Sequence, residues 1–262
     1  MIYEPMPLCV FYLNLDRRTD RRRFMAAQFA ALALSAERVE AFAPEAVPVA
    51  SLARWTDPVR PRHVSPPELA CTFSHRRAWR LIVERDLPAA CILEDDAWLS
   101  PAFAGLIAAV TDLAGFDLVK IEQRDQPANI GRQAGELMPG IGLHRPYSFV
   151  AGGGGYLLSQ AGARKLLARS VPLDIPLDRI LFDPDEPLFH RLQVAQAVPG
   201  LVMPAEHGHC ADSVADSDIA DAQRNRVLAR TVIPVPDARR RAALQRKGEA
   251  DGARITLIPL AV

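Results

Sequence analysis

Ala89-Ala90-Cys91-Ile92-Leu93-Glu94-Asp95-Asp96 sets a run of small and apolar residues directly before three carboxylates. Such a run reads as a buried strand whose polar end lies at the sheet edge, where ligands bind in open α/β folds. Adjacent carboxylates repel each other, so keeping all of them ionised requires positive charge between them. A hard divalent cation, Mn²⁺ or Mg²⁺, meets that need with oxygen ligands and keeps positions for phosphate oxygens. Without a cation, the same residues read as a solvated turn.

Working outward, Leu8 to Leu13 reads as a first buried strand, followed by a helix over about Arg17 to Leu34 that opens on Arg17, Arg18, Arg21, Arg22 and Arg23. Val39 to Ala43 is a second strand, and the proline-containing stretch to Pro67 reads as loop. Pro66-Pro67-Glu68 suits a first helical turn, so a helix to about Asp86 delivers the chain to the carboxylate strand. A helix over Pro101 to Leu113, a strand at Phe116 to Ile121, an irregular region from Gln123 to Gly142, the run Gly152 to Gly155 and a short helix over Ala161 to Arg169 follow. This alternation predicts an α/β fold with a mainly parallel central sheet flanked by helices. Residues 1–210 are expected to form one domain, and 211–262 a charged C-terminal extension, helical or partly mobile.

Composition narrows the function. The 262 residues carry 31 basic and 31 acidic side chains, so no general electrostatic case exists for nucleic acid as partner. Hydrophobic content of 49% argues for a globular chain. Cys9, Cys71, Cys91 and Cys210 form no CxxC pair and suggest free thiols rather than a disulfide framework. No stretch supplies the roughly 20 mostly apolar residues of a bilayer span. Tyr3-Glu4-Pro5-Met6-Pro7 leads into a strand without a basic and apolar leader, so a cytoplasmic location is expected.

Four separated motifs, in order, resemble glycosyltransferase family 25, which includes bacterial lipooligosaccharide galactosyltransferases and the collagen galactosyltransferase domain. Tyr12-Leu13-Asn14-Leu15-Asp16-Arg17 is similar to the family's Asn-Leu opening before a basic helix. Ala70-Cys71-Thr72-Phe73-Ser74-His75, with Trp79 following, is similar to its Gly-Cys-x-x-Ser-His-x-x-x-Trp segment, with Ala70 where glycine is common. Leu93-Glu94-Asp95-Asp96 matches its Leu-Glu-Asp-Asp sequence. Gly154-Gly155-Tyr156, Gly162-Ala163 and Pro176-Leu177-Asp178 resemble its later Gly-Tyr, Gly-Ala and Pro-x-Asp pattern. The resemblance implies a GT-A type Rossmann-like nucleotide-sugar-binding fold, a UDP-sugar donor, a glycan or lipid-linked oligosaccharide acceptor, inversion at the anomeric carbon and a divalent metal.

On that resemblance, Asp96 and Glu94 are the candidate metal ligands, joined by His207 or His209, and Glu94 and Asp95 also face the donor. Asn14, Asp16, Arg17, Ser74, His75, Lys120, Gly154, Gly155 and Tyr156 are further donor-binding candidates. Asp178, or Asp174 in the nearby Pro172-Leu173-Asp174 copy, is the candidate general base. Ordinary structural roles compete: a turn or cap for Asn14 and Asp16, solvated helix for Arg17, a buried brace for Ser74 and His75, a strand-end lysine for Lys120 and a loop histidine for His207 or His209. Gly152 to Gly155 lacks the strand-then-helix context of a dinucleotide fingerprint. Arg239, Arg240, Arg241, Arg246 and Lys247 would favour an anionic surface, giving peripheral association at the inner face of the membrane as a further expectation. The rivals to transfer are an inactive binding or scaffold protein and a nucleotide-sugar hydrolase.

Overall fold

The computed structural model describes residues 8–113, 115–168, 173–207 and 238–262. The chain runs β1 (Cys9–Asn14), α1 (Thr19–Ala31), β2 (Glu37–Glu40), α2 (Val49–Trp55), α3 (Pro66–Glu84), β3 (Ala89–Glu94), β4 (Ala97–Leu99) and α4 (Phe103–Ala109). It continues through β5 (Leu118–Lys120), β6 (Pro127–Met138), β7 (Ile141–Pro146), β8 (Gly155–Ser159), α5 (Gln160–Leu167), α6 (Leu177–Phe182), β9 (Val194–Val198), β10 (Val202–Pro204), α7 (Ala238–Ala250) and β11 (Arg254–Leu257). Nine strands form one sheet in the order β11-β6-β7-β9-β5-β8-β3-β1-β2, and β4 pairs with β10 apart from it.

The sheet is α/β and flanked by helices, as expected. β1 runs parallel to both β2 and β3, and β5 runs parallel to β9. β8 lies antiparallel between β3 and β5, and the half beyond β9 is antiparallel. The β3 run is apolar throughout because both its faces are covered. Ala90 and Ile92 join the core under α3, α5 and α6, while Ala89, Cys91 and Leu93 join the core under α1 and α4. Only Glu94, at the end, reaches partial exposure.

The α3 start is a capping box. Ser65 Oγ accepts from the Glu68 N–H at 3.4 Å, and Glu68 Oε2 accepts from the Ser65 N–H at 2.8 Å. The helix then buries Leu69, Ala70, Ser74, His75, Ala78, Trp79 and Ile82 against the sheet.

Two stretches read as irregular are ordered. Residues 43–67 contain α2, and the region from Gln123 to Gly142 holds the hairpin of β6 and β7. Its pairing shifts register between Ile130 and Gln133, between Gln133 and Gly135, and between Glu136 and Met138, which breaks the two-residue alternation that marks a strand in sequence. At the C-terminal end, α7 presents Arg239, Arg240, Arg241, Arg246 and Lys247 to the exterior, whereas β11 pairs with β6. Ile258 then packs with Ala128 and Ile130, so residues after α7 belong to the sheet.

Candidate active site at the ends of the central strands

β1 and β3 are parallel and in register, Leu13 opposite Glu94, so their carboxyl ends lie side by side. Asn14 and Asp95 meet there: Asn14 Nδ2 donates to Asp95 Oδ2 at 2.7 Å and to the Arg18 carbonyl at 3.0 Å. Asn14 Oδ1 accepts from Arg22 Nε and Arg38 Nε. The amide is fully buried and its hydrogen-bonding capacity is used within the protein, so it acts on a ligand only through Asp95.

A cleft opens beside these ends. Leu13, Ala41, Phe42, Pro44, Pro67 and Ala70 give it an apolar side, and Arg18, Arg21, Glu94, Asp95 and Asp96 a charged one. Asp16 and Arg17 are exposed and do not line it; Asp16 instead holds Arg22 and Arg38. Arg21, which sequence reasoning passed over, donates from Nη1 to Asp95 Oδ1 at 2.8 Å and Asp96 Oδ2 at 3.0 Å. It was one of five arginines between residues 17 and 23. Which of them faces inward depends on helix phase, and α1 begins at Thr19 rather than at Arg17.

Even with Arg21 present, the carboxylates are crowded. Burial, and then the charge of Glu94, push the Asp96 carboxyl up to about 7 against the pull of Arg21. Burial raises Asp95 as well. For Glu94, burial raises the value, but the His75 hydrogen bond and then the positive groups around it lower it further, leaving it below the ordinary carboxylate.

His75 explains how Glu94 is held. Trp79 Nε1, a donor only, donates to Tyr156 Oη at 2.8 Å, and Tyr156 Oη meets His75 Nδ1 at 2.8 Å. Every donor finds an acceptor when the Tyr156 O–H donates to Nδ1 and the Nε2–H of His75 donates to Glu94 Oε1, 3.3 Å away. Cys71 Sγ donates to the same oxygen at 3.8 Å. Oε1 is thus occupied twice, and Oε2 is the oxygen left to face a ligand. Cys71, His75 and Glu94 are the metal-capable cluster found among the described residues, with ligand atoms within 4.8 Å of one another. A metal on Nε2 would move its proton to Nδ1 and strand the Tyr156 hydroxyl hydrogen, so the geometry is that of a hydrogen-bonded brace. Ser74 lines the cleft, but its hydroxyl is spent on the Ala70 carbonyl and the Phe42 N–H.

On the other side of Glu94 lies the glycine run. The Gly154 carbonyl accepts from the Glu94 N–H at 3.0 Å, and Gly155 opens β8 opposite Leu93. The Gly152 N–H donates to Asp178 Oδ2 at 3.1 Å, and the Arg179 N–H donates to Asp178 Oδ1 at 2.9 Å. Lys120 is buried; its Nζ bonds Glu122 Oε2 at 2.8 Å, contacts the Gly152 carbonyl and lies 4.3 Å from the Phe182 ring centroid. Burial lowers its value although Glu122 pulls the other way. Glu122, also passed over, lies on the same strand-end face two residues beyond Lys120, and that spacing could have identified it. Asp174 pairs with Arg62 at 3.5 Å. His207 pairs with Glu206 at 3.5 Å, in a turn whose Ala205 N–H donates to the Asp96 carbonyl at 2.8 Å. His209 lies outside the described residues.

Residues 8–181 match the family model described as glycosyltransferase family 25 (LPS biosynthesis protein). A glycosyltransferase 25 family member of Drosophila melanogaster is 30% identical over 191 residues, covering 66% of this chain and 30% of that protein. Procollagen galactosyltransferase 1 of Danio rerio is 28% identical over 187 residues, covering 66% and 30%. A human relative named inactive glycosyltransferase 25 family member 3 is 31% identical over 187 residues, covering 66% and 31%. The chain therefore spans about 30% of the length of these curated relatives.

Proposed function

The chain belongs to glycosyltransferase family 25, and we propose on that premise that it is a metal-dependent, inverting glycosyltransferase moving a hexose, galactose from its UDP conjugate, onto a lipooligosaccharide or other cell-surface glycan. The observation that carries the reading is the glycine loop: its Gly154 carbonyl is bonded to Glu94 at the cleft and its Gly152 N–H to Asp178, so one short segment joins a donor carboxylate to a candidate base.

The roles follow from the chemistry of each group. The apolar side of the cleft, Phe42 and Pro44 among it, accepts a flat base, while Glu94 Oε2 faces a ribose hydroxyl or a cation. The oxygen donors of Glu94 and Asp96, both lining the cleft, suit a hard divalent ion, Mn²⁺ or Mg²⁺. When bound, that ion supplies neutralisation of the negative charge that builds on the departing diphosphate. Arg18 and Arg21 line the same side and suit phosphate oxygens. Asp178, fixed by two backbone N–H groups, takes the proton of the acceptor hydroxyl as its oxygen bonds the anomeric carbon from the face opposite the leaving group.

Release of UDP from a panel of UDP-sugars, with Mn²⁺, Mg²⁺ or chelator and with or without glycan acceptors, tests the reading. Metal-dependent release stimulated by acceptor is expected. Release indifferent to acceptor points to hydrolysis. Absence of turnover with retained UDP binding points to the inactive reading, which the name of the human relative favours. Asp96→Ala is expected to abolish turnover and leave the fold intact.

No helix among the described residues is long and apolar enough to cross a membrane. For a lipid-linked acceptor, the exposed basic side chains of α7 suit peripheral association with anionic lipid. Co-sedimentation with anionic vesicles, compared between the full chain and a variant with Arg239, Arg246 and Lys247 changed to Gln, is expected to show weaker binding of the variant.

A further inference from the structure

Glu122 and Lys120 form a fully buried ion pair wrapped by the glycine loop. Glu122 Oε2 accepts from Lys120 Nζ and, at 3.0 Å, from the Gly154 N–H; Oε1 accepts from Arg124 at 3.3 Å. Lys120 in turn reaches the Gly152 carbonyl. Gly152 adopts φ +92°, and a Cβ there would lie 2.5 and 2.6 Å from the two Glu122 oxygens, so the loop closes on this carboxylate only with glycine. The same loop bonds Glu94 at one end and Asp178 at the other. A buried ion pair is a poor source of stability, because desolvation of both charges offsets their attraction. Its placement gives it another use.

We propose that Glu122 and Lys120 are positioning residues: through Gly152 and Gly154 they fix the spacing between the donor carboxylate Glu94 and the base Asp178, and so decide whether the activated sugar goes to a glycan hydroxyl or to water. The inference rests on the reading of Asp178 as general base. Neither residue needs to touch the reacting atoms. With the pair loosened, Asp178 and the acceptor drift from attack geometry, whereas water, which is small and needs less orientation, still reaches the anomeric carbon.

The test measures transfer and donor hydrolysis side by side in Glu122→Gln and in the double variant Lys120→Met/Glu122→Gln. The double variant removes the Lys120 and Glu122 charges together, and Arg124, which loses Glu122, keeps Glu206 at 3.0 Å. UDP affinity by calorimetry and donor KM are expected to change by less than about threefold. The kcat for transfer is expected to fall by about ten- to a hundredfold, and the ratio of hydrolysis to transfer to rise by at least about tenfold. An unchanged ratio in the folded double variant overturns the proposal. Asp178→Asn, run in parallel, separates the two failures. If it retains transfer, the base reading falls and the positioning role falls with it; if it abolishes transfer while the ratio in the double variant stays fixed, only the positioning role falls.

Discussion

At the residue scale, the site is a problem of unlike charges in unequal numbers. Arg21 bonds both Asp95 and Asp96. Replacing it by Gln leaves three carboxylates without that guanidinium and should destabilise the metal-free protein by about 2 kcal/mol. Added Mn²⁺ should then raise Tm more in the variant than in the parent, which scanning calorimetry with and without chelator checks. Asp96 sets a pH dependence of its own. With its carboxyl raised from 3.8 to about 7, the native state keeps a proton that the unfolded chain has already released. That stabilisation is therefore complete below the unfolded value and is lost as pH rises through about 7. In chelator, Asp96→Asn should remove on the order of 2 kcal/mol of the decline in unfolding free energy between pH 4 and 7. Glu94 and Asp96 were legible in sequence because three carboxylates ending an apolar run have few explanations. The arginine that answers them was not, since Arg17, Arg21 and Arg22 stand in one basic cluster and the start of α1 at Thr19 decides which of them turns inward.

At the scale of elements, α3 carries the brace. Its first-turn prolines and Glu68 mark its start in sequence, and Cys71, His75 and Trp79 recur every four residues along one line that meets Glu94 and Tyr156. Tyr156→Phe leaves Trp79 Nε1–H without its acceptor and should cost about 1 to 3 kcal/mol, measured by chemical denaturation, with UDP affinity falling as His75 loses its fixed orientation. An unaltered UDP affinity would show that the ring pair alone, stacked at 5.7 Å, holds His75. The β6 and β7 hairpin was invisible to the same reading. Its three register shifts and the glycines Gly131 and Gly135 erase alternation, and its identity as sheet comes from pairing with β9 and β11, partners remote in sequence.

At the scale of the molecule, the expectation of an α/β sheet covered on both faces followed from the alternation of strands and helices, whereas the place of the last residues could not be read from a charged segment. β11 pairs with β6, and Ile258, only 5% exposed, closes a small cluster with Ala128 and Ile130. Ile258→Ala should therefore lower stability by about 2 kcal/mol, although it lies well outside the stretch that defines the family. A change below about 0.5 kcal/mol, the size expected of a surface substitution, would mean that the terminal strand contributes little to the whole. The antiparallel course of β8 has one more consequence. Parallel strands β1 and β3 offer the site the residues at which they finish, while β8 offers the residues that precede its beginning. The candidate site is thus written in separate passages of the gene, one ending at Asp96 and the other spanning Lys120 to Asp178. Grafting the second passage from a relative should exchange acceptor preference while the donor preference stays with the first.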